Sequence, residues 1–311
     1  MIRVGVVGVG GWGKNHLRVL SELGLLSGFC DTDLSKLDLY KKMYSVEGYS
    51  SVDELLSKAA LDAVIVSTPT ATHYAVAEKI INAGIAVFVE KPLSCTTIEG
   101  KKLVELAEVK DVLMTVGYIE RFNPAVKKIK DMLDKEELGD PRLLEFRREN
   151  KLNKRIVDVG AIMDTSVHDI DTARWLFNSN PNVVFARTGR MGGEHEDFAA
   201  ITLGFKGGKT AILTSNWVTS RRIRKLSGVF TKCAIDLDFI TQDVKVDMND
   251  ETLSPEIVWQ EPLVLELSSF VDCVSSGKKP LITSRDALHT TEVAEAALVS
   301  NDTGSAIYLE L

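Results

Sequence analysis

The sequence predicts an α/β protein: an N-terminal doubly wound parallel sheet, then a C-terminal α+β domain with a large, mostly antiparallel sheet. Three observations predict it. Through about residue 119, strands apolar along their whole length alternate with segments of helical spacing, as in a parallel sheet covered on both faces. A glycine-rich turn follows the first of these strands. Beyond residue 120 the strands lengthen and alternate apolar with polar residues, the period of a sheet with one solvated face.

Taken in order, Ile2 to Val9 is a β-rich apolar run ending in glycines, and Lys14 to Leu23 has helical spacing. A strand is expected over Leu25 to Asp31 and a helix over Leu34 to Met43. Asp53 reads as the N-cap of a short helix, Glu54 to Ala59. The apolar run DAVIVSTP leads into a helix from Thr72 to Ala83, and GIAVFVEKP leads into one from Ile98 to Glu108. VLMTVGY closes the set, and right-handed crossovers arrange these units as a doubly wound sheet. The domains are placed at 1–119 and 120–311. In the second, a helix (Pro124 to Lys135) and a strand (Arg142 to Arg148) precede a helical stretch, Ala161 to Phe177. FAAITLGFKGGKTAILTSNWV is a hairpin around Gly207 and Gly208. KLSGVFTKCAIDLDFITQDVKVDM reads as further strands. Helices at Leu263 to Ser275 and Ser284 to Ser300, and a strand at Ala306 to Leu311, complete it.

The chain has 311 residues, 45% apolar and 26% charged, enough for two buried cores. A formal charge of −7 argues against coating nucleic acid. No apolar run reaches the length of a membrane span, and no charged leader precedes the first strand, so a cytoplasmic protein is expected. Cys30, Cys95, Cys233 and Cys273 form no C-x-x-C pair; reduced, mostly buried thiols are expected.

Gly8, Gly10 and Gly13 have G-x-G-x-x-G spacing after a strand and at the start of a helix, the setting in which that pattern marks a dinucleotide site. Gly8 permits the turn, Gly10 the approach of a pyrophosphate, and Gly13 close packing of the helix, whose N-terminus offers unpaired N–H groups. Asp31 closes the second strand, 23 residues after Gly8. A carboxylate there accepts bonds from ribose hydroxyls and repels a 2′-phosphate, favouring NAD over NADP.

Two further signals bear on chemistry. Glu90-Lys91-Pro92 ends a parallel strand, where ligands of such sheets bind; Lys91 is placed to hydrogen-bond a reacting hydroxyl or carbonyl. Asp164 and His168 are four apart in a stretch of helical spacing, which puts them on one face. An imidazole takes a proton at neutral pH, and Asp164 would orient it or bind a hydroxyl. Hydride transfer requires no metal, and none is expected.

With GVGGWGKNHLR, STPTATHYAVAEKIINAGIAVFVEKPLS, VGYIERFNPAV and DVGAIMDTSVHDIDTARWL, the chain resembles the glucose–fructose oxidoreductase / inositol dehydrogenase (Gfo/Idh/MocA) family over nearly its whole length. The resemblance implies a Rossmann domain, a substrate domain with an open sheet, a homodimer or homotetramer formed through that sheet, and bound nicotinamide cofactor. Its motifs add Gly11, Trp12, Thr68, Pro69, His73, Glu90 and Lys91 to the cofactor contacts. They make His168 the general acid/base, Lys91 the polariser of the oxygen, and Asp164 an anchor. Tyr118 and Arg121 join these three as substrate contacts. One departure is that Gly160 stands alone before the Asp, where many relatives carry two glycines.

Within the family the chain looks most like the UDP-N-acetylglucosamine 3-dehydrogenase branch. Between Arg142 and Arg155 six basic residues face two acids. Arg148 and Arg155 are therefore expected to hold a diphosphate. The run Arg221 to Lys225 is expected at a strand edge or subunit contact. The alternatives are an inositol or free-sugar dehydrogenase, with no use for that basic stretch, and a non-catalytic NAD-sensing regulator.

Overall fold

A computed structural model describes residues 2–151, 158–192 and 194–310. The chain divides into two compact units: Met1–Gly117 with Leu263–Leu288, and Tyr118–Pro262 with His289–Leu311.

The first unit is a six-stranded sheet of β1 (Val4–Val7), β2 (Leu26–Cys30), β3 (Gly48–Tyr49), β4 (Ala63–Val66), β5 (Ala86–Val89) and β6 (Met114–Val116). Their order is β3-β2-β1-β4-β5-β6, and every pairing is parallel. This is the doubly wound order, which reverses direction between β1 and β4. The connecting helices are α1 (Gly13–Glu22), α2 (Leu34–Tyr44), α3 (Val52–Lys58), α4 (His73–Asn82) and α5 (Thr97–Val109). β1 and β4 are buried along their whole length, as their unbroken apolar runs require.

Ser51, not Asp53, caps α3. The Ser51 hydroxyl accepts from the Glu54 N–H at 3.2 Å, and Glu54 reaches back to the Ser50 N–H at 3.2 Å. Asp53 lies in the first turn and pairs with Lys79 at 2.7 Å.

The linear division at residue 120 misses the return of the chain to the first unit. In α8 (Pro262–Ser276) Phe270 is buried, its ring edge-on to Phe88 at 5.6 Å. Thr115 donates to the Ile282 carbonyl at 2.8 Å, and Arg285 pairs with Glu108 at 2.7 Å. Periodicity identifies α8 as a helix with a buried face but does not say which sheet that face covers.

The second unit is a nine-stranded sheet of β7 (Pro141–Lys151), β8 (Val183–Gly189), β9 (Phe198–Gly204), β10 (Thr210–Asn216), β11 (Val218–Phe230), β12 (Ala234–Asp238), β13 (Asp243–Met248), β14 (Glu251–Leu253) and β15 (Ile307–Tyr308). The order is β14-β13-β12-β11-β7-β10-β9-β8-β15, antiparallel except for β7 with β10. The Gly207-Gly208 hairpin joins β9 to β10, with Gly207 at φ 78° and Gly208 at φ 74°. α6 (Pro124–Asp134) and α7 (Val167–Phe177) pack on one face. α9 (Ser284–Thr303) follows α8 in sequence.

β11 lies between β12 and β7, yet of its basic run only Lys225 has a register partner on β12, and Arg221 and Arg222 have none among the described residues. The helical stretch starting at Ala161 is not uniform: Ile162–Ser166 is a π-helical turn that runs into α7.

Cys30, Cys233 and Cys273 are buried, and no disulfide joins the four cysteines. Burial and the nearby Asp31 carboxylate push the Cys30 thiol up to about 11. Among the described residues, no helix is long and apolar enough to cross a membrane.

Candidate active site

In the first unit, the topology gathers four strand ends. The glycine loop follows β1, Asp31 follows β2, Thr68 and Pro69 follow β4, and Glu90 and Lys91 follow β5. Adjacency of β2, β1, β4 and β5 in one parallel sheet places all four at the same sheet edge, beside the switch point where such folds bind ligands.

The glycines differ in what they do. Gly8 sits at φ 84°, and a Cβ there would stand 2.6 Å from the Ser67 carbonyl oxygen. At Gly13 a Cβ would lie 1.9 Å from the Gly8 carbonyl oxygen, so the helix start and the turn touch backbone to backbone. Gly10 and Gly11 face open space, with no atom within 4 Å of an added Cβ. Trp12 is exposed at the N-terminus of α1. An open concavity lined by bare backbone at a helix N-terminus fits a dinucleotide pyrophosphate. Asp31 Oδ2 accepts from the Val9 N–H at 2.8 Å, and Oδ1 accepts from the Asp33 N–H at 2.9 Å. The carboxylate is thereby locked beside the loop, with the Lys36 ammonium 3.3 Å away.

Buried histidines hold the turn that carries Lys91. His16 Nε2 lies 2.7 Å from Glu90 Oε1, while Glu90 Oε2 accepts from the Lys91 N–H at 3.2 Å. His73 stands between two carbonyls, with Nδ1 at 2.8 Å from Pro92 O and Nε2 at 3.0 Å from Thr68 O. Two loops named by the sequence are thus tied together through α4. His16 was not singled out by sequence reasoning; its place three residues after Gly13, on the face of α1 shared with Val19 and Leu20, was the available signal.

In the second unit, Asp164 lies in the π-helical turn and His168 in the first turn of α7. Thr165 donates its hydroxyl to Asp164 at 3.0 Å and accepts from the Trp217 indole at 2.9 Å. The Tyr118 ring is edge-on to His168 at 6.5 Å. Gly160 needs no second glycine to explain it, because a Cβ there would meet the Glu196 carboxylate at 2.0 Å. That carboxylate also accepts from the Ile162 N–H at 3.0 Å, bracing the start of the turn.

The arginines correct the sequence reading. Arg148 is buried and bonded to Asp169 at 2.7 Å and Glu120 at 3.0 Å, with the Phe239 ring 5.2 Å from its guanidinium carbon. Its donors serve internal carboxylates, not a diphosphate. Along β7 it shares the inward face with Leu144 and Phe146, a parity already visible in the sequence. Arg121 is likewise buried and forks onto Asp171 at 2.8 and 2.7 Å, so it braces α7. Arg155 lies outside the described residues. No group of three or more His, Cys, Asp or Glu side chains with metal-holding geometry occurs among the described residues.

A profile described as "Oxidoreductase family, NAD-binding Rossmann fold" matches residues 2–118, and one described as "GFO/IDH/MocA C-terminal domain" matches 126–232. The chain belongs to the GFO/IDH/MocA oxidoreductase family. It is an NAD-binding oxidoreductase. The UDP-N-acetylglucosamine 3-dehydrogenase of Acidithiobacillus ferrooxidans is 26% identical over 88% of this chain and 89% of its own. Its crystal structure superposes with a TM-score of 0.90 at 25% identity, covering 97% and 98% of the two chains. The myo-inositol 2-dehydrogenase of Thermotoga maritima is 25% identical over 99% of both chains. The WlbA dehydrogenase of Bordetella pertussis, solved with NADH and UDP-GlcNAcA, shares the fold with a TM-score of 0.85 at 21% identity, covering 100% and 99%.

Proposed function

We propose that this dehydrogenase oxidises a secondary hydroxyl of a UDP-N-acetylhexosamine, the 3-hydroxyl by preference. The observation that carries the substrate class is the full-length likeness to the Acidithiobacillus enzyme in both sequence and fold. Bound NAD supplies the acceptor for the hydride that leaves the carbon. In this proposal the Lys91 ammonium donates to the reacting oxygen and stabilises the negative charge that grows on it. The His168 imidazole takes the hydroxyl proton as the C=O bond forms. Asp164, set by Thr165 and Trp217, anchors the imidazole or a neighbouring hydroxyl. The remaining cofactor assignments, from Gly8 through Asp31, Thr68, Pro69 and His73 to Glu90, are proposed as contacts or as supports of contacts. Tyr118 is proposed to bound the site beside His168.

An inositol-type substrate is the second reading. It is favoured by the Thermotoga relative and by the internal engagement of Arg148 and Arg121. A panel of UDP-N-acetylhexosamines, free N-acetylhexosamines and cyclitols, each with NAD and followed by reduced nicotinamide, separates the two. Turnover of the UDP-sugars at least tenfold above the rest is expected; preference for a cyclitol would reject the UDP-sugar reading. The protein is further proposed to act as a homodimer or homotetramer through the uncovered face of the nine-stranded sheet.

A further inference from the structure

We infer that Arg224 is the anion-recognition residue of the substrate site, the cation that receives the phosphate of a nucleotide-linked sugar. The inference rests on the UDP-sugar reading for the identity of the ligand, and on the geometry of one charge cluster for its place.

Arg148, Arg224, Glu120 and Asp169 meet in the second unit. Their formal charges balance, but their contacts do not. Arg148 takes both acids, Asp169 through Nε and Nη2 and Glu120 through Nη1, at 2.7 to 3.2 Å. The other oxygen of Glu120 accepts from the Asn123 amide at 3.1 Å. Arg224 comes no nearer to Glu120 than 4.0 Å, and its buried Nε–H has no hydrogen-bond partner among the described residues. A buried donor left unmet is destabilising, and a guanidinium beside a second guanidinium is held at further cost. Burial, then Arg148, lower the Arg224 pKa to about 10.

Exposure separates the two arginines. The Arg148 side chain is 3% exposed, that of Arg224 26%. Arg148 is closed to any ligand, whereas the under-paired guanidinium is open on one side. A phosphate presents paired oxygens that match a guanidinium fork, and at the exposed side of Arg224 it would meet a charge that Glu120, 4.0 Å away, leaves under-paired. The position is apt as well. Arg224 is the register partner of Arg148 on the neighbouring strand, and Arg148 holds Asp169, the residue next to His168. The anion would therefore be received in the unit that carries His168.

The test is calorimetric titration of the full-length protein with inorganic pyrophosphate, under saturating NAD so that the glycine loop is closed to the probe. Wild type, Arg224→Gln and Arg224→Lys are compared, with Arg221→Gln as a control for loss of a surface charge on the same strand. The expected result is binding by wild type, at least tenfold weaker binding by Arg224→Gln, an intermediate value for Arg224→Lys, and no change for the control. In parallel, KM for a UDP-N-acetylhexosamine should rise in Arg224→Gln with kcat within about twofold of wild type. Equal pyrophosphate affinity in wild type and Arg224→Gln, or no binding by wild type, overturns the inference. If only cyclitols are oxidised while pyrophosphate binding still depends on Arg224, the UDP-sugar reading falls and the anion site stands.

Discussion

Arg148 and Arg224 are side by side on adjacent strands and carry the same charge, yet one is saturated by carboxylates and the other is not. That difference arises from which strand α7 lies against, since Asp169 points at Arg148. Lys91 and His168 are the residues whose loss should be felt in chemistry and not in folding. Lys91→Ala and His168→Ala are each expected to lower kcat by at least about 100-fold, as removal of a positioned proton-transfer or polarising group does. The thermal unfolding midpoint of each should stay at the wild-type value. Near-normal turnover in both would remove their assignment. Both were legible as candidates because each sits in a short, distinctive motif. The duties of Arg121 and Arg148 were not, because a sequence shows that an arginine is present but not whether an acid from another element is already bonded to it. Strand parity was the missed clue: Arg148 falls in step with the buried Leu144 and Phe146.

At the scale of elements, the glycine loop separates folding from binding within three residues. Gly8→Ala puts a side chain at φ 84° against the Ser67 carbonyl, a strain of about 1–3 kcal/mol before the contact is counted. A melting point lowered by about 4 °C or more is expected. Gly10→Ala meets nothing within 4 Å, so the unliganded protein should melt as wild type does. Its stabilisation by NAD should be largely lost, because the new methyl occupies space that the pyrophosphate needs. Thermal melts with and without NAD read both effects, and a Gly10→Ala protein stabilised by NAD as well as wild type would remove the pyrophosphate from this loop. Element type was well read from period and turn residues; element ends were not. The π-helical turn around Asp164 and the Ser51 cap of α3 depend on hydrogen bonds that a pattern of apolar residues does not encode.

At the scale of the whole molecule, the uncovered face of the nine-stranded sheet carries exposed Phe185 and Phe198 and half-buried Leu143 and Ile212. Registers place Phe185, Thr202 and Ile212 in one row across β8, β9 and β10. Exposed apolar side chains on a sheet face suit the homo-oligomeric assembly proposed above. Light scattering behind size exclusion is expected to give a dimer or larger, and Phe185→Glu with Ile212→Glu a monomer. A monomeric wild type would reject the assembly.

The residue pattern alone determined that this chain forms a doubly wound parallel sheet followed by an antiparallel one, and where a dinucleotide loop, a lysine turn and an Asp–His pair occur. Those features follow from spacing along the chain, where steric period and turn chemistry act locally. The structure alone decided that α8 returns to the first sheet, that His16 and His73 brace the Lys91 turn, and which arginines are consumed by buried acids. Each of these depends on groups far apart in sequence coming into contact, and burial and charge balance are set only when the layers close.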